Sequence, residues 1–268
     1  MENVKKAATI ALNAVSRIRD AVYLDTNAWS ALAKGEIPAD PLAKWVERNN
    51  CFLWLAGMQL AELSVRRDIL DGLARLFEKI GVTILVRGQN EFDGTPWYQM
   101  RTEVLQHIKL TTPALRNAFV AEFSEVDAAR NNVLEDGDNF RVWLEQALNQ
   151  IPADVPRDWS SFPARLRSRI RTVCEVNGYA VNEAGLSDPA CYVGLRLSYA
   201  VLFVRYFLNR QRWQPSDYFD YLHASDMAYA TAVVTERNLA ECLHQALRRA
   251  EITGPQLVVD SSWLKGPS

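Results

Sequence analysis

Five short apolar runs, rich in β-branched and aromatic side chains, punctuate the chain: Ala21–Leu24, Cys51–Leu55, Val82–Val86, Ala232–Val234 and Gln256–Val259. None shows a sustained apolar–polar alternation, so each reads as a strand buried on both faces. Between the first three the spacing becomes helical, over Ala28–Ala33, over Leu42–Arg48, and from Met58 to Lys79, where Leu60, Leu63, Leu70, Leu73 and Phe77 recur at roughly helical intervals. Strand, helix, strand order predicts parallel pairing. The alternation returns at the C-terminus: a helix over Asp217–Ala230, the Val233-Val234 strand, a helix over Leu239–Arg249, then Thr253-Gly254-Pro255 as a stop before the last strand.

The middle, 88–214, breaks this pattern and reads as a large helical insertion. Pro96, Pro113, Pro152, Pro156 and Pro163 segment it, Leu166, Ile170 and Val173 share a helical face, a long apolar helix is expected near Tyr192–Leu208, and Ile151–Ser161 reads as a loop. Arg196 and Arg205 interrupt the Ala190–Phe207 stretch, which favours a buried helix over a membrane span. Residues 1–18 read as an amphipathic helical extension rather than a signal peptide, because Arg17, Arg19 and Asp20 follow a short, broken apolar run.

Composition adds little. The 268 residues are 49% hydrophobic, enough for a sizeable core, and 30 Lys and Arg against 32 Asp and Glu exclude no class of partner. Four scattered cysteines without a CxxC pair, and three histidines, argue against zinc and for reduced thiols in a cytoplasmic protein.

The chemistry lies in where the acids fall. Asp25-Thr26-Asn27 ends the first strand, a position equally suited to capping the next helix. Glu62 falls in the first turns after the second strand, Asp217 and Asp220 open the helix after Trp213-Gln214-Pro215-Ser216, and Glu236 follows Val233-Val234-Thr235. In a parallel sheet these carboxylates share one edge, where mutual repulsion is relieved by a hard divalent cation such as Mg²⁺ or Mn²⁺. His223 shares a helix face with Asp220, while Asp226 turns away from it. Arg165, Arg167, Arg169 and Arg171 read as solvated flanks of an apolar stripe. Arg205, Arg210 and Arg212, just before the Asp217 helix, are placed to hold substrate phosphates. Trp97, Tyr98, Trp159 and Trp213 offer rings for bases or for packing.

The ordered set of Asp25-Thr26-Asn27, Glu62 within Gln-Leu-Ala-Glu-Leu, Asp217-x-x-Asp220-x-x-His223 and Val-Val-Thr235-Glu236 resembles the PIN-like domain superfamily over about 19–86 and 215–260. The resemblance implies an α/β three-layer fold with a central parallel five-stranded sheet in order 3-2-1-4-5. The chain would then be a single domain with a discontinuous core, 19–87 and 215–268. It also implies a metal-dependent endoribonuclease acting on RNA with Mg²⁺ or Mn²⁺, as a toxin or phage-defence effector, with an inhibitor protein or a second copy as further partners and no membrane. Asp25, Glu62, Asp220 and Glu236 would be catalytic metal ligands with Asp217 as neighbour, supported by Thr26, Asn27, His223, Thr235 and Asn238. Arg237 stands where many members carry the fourth Asp, which leaves Glu236 to complete the set and keeps a non-catalytic scaffold or RNA-binding module as the alternative. A phosphatase of the haloacid dehalogenase type is disfavoured, since position 27 is Asn rather than the second Asp.

Overall fold

Every side chain of β1 (Ala21–Leu24) is buried, and their alternation divides the interior into two cores. Ala21 and Tyr23 face one helical layer, Val22 and Leu24 the other. The computed structural model describes residues 21–56, 59, 62–63, 66–87, 92–99, 102–108, 139–146, 149, 157–214 and 216–266. The expected extension over 1–18 lies outside the described residues, as does part of the expected insertion.

The chain continues through α1 (Thr26–Ala33), α2 (Ala39–Arg48), β2 (Phe52–Leu55), α3 (Leu70–Lys79), β3 (Val82–Arg87) and β4 (Thr102–Ile108). It then forms α4 (Phe162–Val176), α5 (Val193–Leu202), α6 (Asp217–Met227), β5 (Ala232–Thr235), α7 (Arg237–Arg249) and β6 (Leu257–Asp260). The six-stranded sheet has order β4-β3-β2-β1-β5-β6. Five strands are parallel, and counted alone they run 3-2-1-4-5 as expected. Helices α1 to α3 cover one face, with Trp29, Leu42, Leu73 and Phe77 in that core. On the opposite face lie α4 to α7, with Ile170, Leu197, Met227 and Leu243.

Two expectations need correction. The segment read as a helical insertion contributes β4, antiparallel to β3 with a register shift between Ile84 and Leu85. An edge strand has one hydrogen-bonded neighbour and needs no unbroken apolar run, so Thr-Glu-Val-Leu-Gln-His-Ile carries no buried-strand signal. The helix expected from Met58 to Lys79 is broken: Gln59, Glu62 and Leu63 are helical, then a 3₁₀ turn over Arg67–Ile69 precedes α3. Leu63 and Leu70, seven apart, stay in helical phase across the break, which hides it from periodicity. The long helix expected near Tyr192–Leu208 is present, as α5 running on into a π-helical turn, Phe203–Leu208.

α1 and α3 approach closely. A Cβ on Gly72 would stand 2.0 Å from the Ala33 carbonyl oxygen, so only glycine permits the contact.

Candidate active site

The carboxyl ends of the parallel strands set out the site, and Asp25 sits at its centre. It is the N-cap of α1: Oδ1 accepts the Ala28 N–H at 2.7 Å. Oδ2 accepts two further bonds at 2.7 Å, from the Thr235 hydroxyl and the Glu236 N–H. The capping role and the position at the edge are therefore the same fact, and the carboxylate also fastens β1 to the end of β5. Two acceptor sites on Oδ2 are filled, and one on Oδ1 remains. Asp25 is 5% exposed, and burial pushes its pKa up despite the Thr235, Ala28 and Glu236 hydrogen bonds and the charge of His223.

Buried Gln59 accepts the Ala56 N–H at 2.9 Å and donates to the Leu24 carbonyl, tying the end of β2 to the end of β1 three residues before Glu62. The Oε2 of Glu62 accepts the Thr26 hydroxyl and lies 2.7 Å from His223 Nε2. His223, 3% exposed on α6, places Nδ1 2.6 Å from the Tyr23 hydroxyl. Burial alone would raise Glu62 and lower His223. The mutual hydrogen bond and charge reverse both, holding Glu62 below its usual range and His223 above it. Among the described residues, Oε1 of Glu62 has no hydrogen-bond partner.

On the other flank Arg205, from the π-helical turn, meets the opening of α6. Its Nη1 donates to Asp217 Oδ1 and Asp220 Oδ2, both at 2.7 Å, and its Nη2 lies 3.8 Å from Glu236 Oε1. Asp217 Oδ2 accepts the Gln214 N–H at 2.7 Å. Burial pushes Asp220 up, and Arg205 only partly offsets this. Glu236 is the N-cap residue of α7 yet makes no side-chain cap bond, and its half-exposed side chain meets Arg205 only at 3.8 Å. Arg237 pairs with Glu241 on the surface at 3.2 Å, so it does not enter the site.

The structure thus brings Asp25, Glu62, Asp220 and Glu236 to one edge, with Thr26, Thr235 and His223 bonded to them. Asn27 and Asn238 are exposed beside it. Arg210 and Arg212 are exposed, but Arg205, expected to meet substrate phosphates, is 4% exposed and occupied by acids. Asp217, expected as a metal neighbour, instead holds Arg205 and the Gln214 backbone. Tyr23 and Gln59 were missed, and so was Asp260, a further carboxylate at this edge that caps Ser262 at 2.8 Å. Tyr23 falls on the α6 side by strand alternation, the one sequence signal for it.

Hard oxygen donors in this number suit Mg²⁺ or Mn²⁺. Asp25, Glu62, Asp217, Asp220 and Glu236 gather five carboxyl groups against one guanidinium, Arg205, and the imidazole of His223, so a cation is chemically welcome. No group of three ligating side chains among the described residues is already close enough to hold one. Glu236, the remaining lone pair on Asp25 Oδ1 and the Oε1 of Glu62 are the groups that could. Among the described residues no helix is long and apolar enough to cross a membrane. No family model, curated protein or solved structure matches the chain.

Proposed function

We propose that this chain is a PIN-like, Mg²⁺- or Mn²⁺-dependent nuclease that hydrolyses phosphodiester bonds of RNA. The observation that carries the reading is the hydrogen-bonded acid edge, in which, among the described residues, Asp25 is buried with no cationic side chain in contact and Glu62 is held by His223 with one oxygen unbonded. A bound divalent ion would lower the pKa of a water and offset charge on the leaving oxygen. Asp25 and Glu62 would hold it through Oδ1 and Oε1, and Glu236 by turning from Arg205. His223 and Thr26 keep Glu62 ionised and aimed, while Thr235 and the Glu236 amide keep Asp25 from rotating. Arg210 and Arg212 would attract the RNA backbone from the exposed loop.

A second reading, an RNA-binding scaffold without cleavage, is favoured by one observation: Arg205 already neutralises the Asp217–Asp220 flank. Incubating the protein with single-stranded and structured RNA, in Mn²⁺ or in chelator, beside an Asp25→Asn variant, separates the two. Cleavage that needs both Mn²⁺ and Asp25 supports the nuclease. Equal cleavage by the variant, or none by the wild type on any substrate, rejects it.

A further inference from the structure

We infer that Arg205 is the resident cation of the acid edge: it occupies the Asp217–Asp220 flank permanently, so a divalent ion is held only on the Asp25–Glu62 side. The inference rests on reading the edge as a divalent-ion site, and it deepens that reading by fixing how many ions the edge takes.

The geometry leaves an ion few oxygens on this flank. One nitrogen of Arg205 bridges Asp217 Oδ1 and Asp220 Oδ2 at 2.7 Å each, and the second Asp217 oxygen is taken by the Gln214 N–H at 2.7 Å. Cys242 also lies close enough to interact electrostatically with the guanidinium. An incoming ion would have to displace a guanidinium that is itself 4% exposed, on a turn whose Phe203, Val204, Tyr206 and Phe207 are all buried. An unpaired guanidinium has no acceptable place there, because a buried charge without a partner is strongly disfavoured and arginine cannot shed its proton.

The backbone supplies an independent sign. Arg205 lies inside the π-helical turn Phe203–Leu208, closed by the Asn209 N–H to the Val204 carbonyl at 3.0 Å and the Gln211 N–H to the Arg205 carbonyl at 2.9 Å. Arg210 follows with a φ of 51°. π turns and left-handed non-glycine residues are costly, and they persist mostly where they aim a functional side chain. Here the side chain so aimed is Arg205. Its charge lets Asp217 and Asp220 lie together at the edge whatever the supply of divalent ions.

The test counts ions rather than products, so it stands apart from whether RNA is cut. Wild type, Arg205→Met and the Asp217→Asn/Asp220→Asn double variant are titrated with Mn²⁺ for bound ions per chain, and melted in chelator and in Mn²⁺. Arg205→Met is expected to melt on the order of 10 °C lower in chelator. It should recover much of that loss in Mn²⁺ and bind one more ion than wild type, while the double variant binds as many as wild type. No added ion in Arg205→Met overturns the assignment, and so does loss of ions in the double variant, which decides alone if Arg205→Met does not fold. If wild type binds none but Arg205→Met binds one, the nuclease reading falls and the role of Arg205 stands.

Discussion

The two flanks of the acid edge solve the same problem differently. Asp25 is held by the Ala28 and Glu236 backbone N–H groups and the Thr235 hydroxyl, which orient a carboxylate without supplying a full charge. Asp217 and Asp220 share a guanidinium, which supplies charge and removes their availability. Dipoles leave a buried anion with unmet electrostatic demand, whereas an ion pair meets it. On the proposed reading the first arrangement takes a cation from solution, whereas the second already contains one. Glu62 stands between them: its partner His223 is a cation only while protonated.

Asp25→Asn tests the poised flank most severely. RNA cleavage in Mn²⁺ is expected to fall by roughly 10³-fold or more, measured as single-turnover rates, because the central anion is lost. A remote core change supplies the contrast. Gly72→Ala forces a Cβ against the Ala33 carbonyl and should cost about 2–3 kcal/mol in denaturant unfolding. Its shift in stability on adding Mn²⁺ should match wild type, and a changed shift would mean that the ion response is not local to the edge.

The intermediate pair is read by pH. The raised pKa of His223 contributes stability that is complete below its unfolded value of about 6.5 and is lost as pH rises through the folded value. The lowered pKa of Glu62 contributes stability present above its unfolded value and lost as pH falls through the folded one. Urea unfolding of the wild type should therefore weaken on going from mildly acidic to alkaline pH. Glu62→Gln should lose on the order of 2 kcal/mol near pH 6 and show a flatter alkaline limb. Paired substitution of Arg210 and Arg212 by Ala should have the smallest effect, weakening RNA binding a few-fold with a shallower salt dependence and no change in melting. An unaltered salt slope would remove these two from the substrate path.

The strands were legible because two-sided burial demands unbroken apolar runs, and Ala21–Leu24 was located to the residue. Asp25, Thr26, Glu62, His223, Thr235 and Glu236 were legible because strand ends and helix starts fix where side chains emerge. Thr102–Ile108 was not, since an edge strand with polar positions lacks that run. Arg205 was read as a phosphate ligand because charge in a sequence has a sign but no partner. Its acids lie 12 and 15 residues away, beyond a π turn that no periodicity announces.

The sequence by itself determined the parallel sheet and the edge to which the acids come, because burial and strand polarity are written residue by residue. Only the tertiary structure decided which acids are paired and which are left poised. Pairing depends on distances between side chains from separate elements, Arg205 with Asp217 and Asp220, His223 with Glu62 and Tyr23, which are set when the helices pack on the sheet.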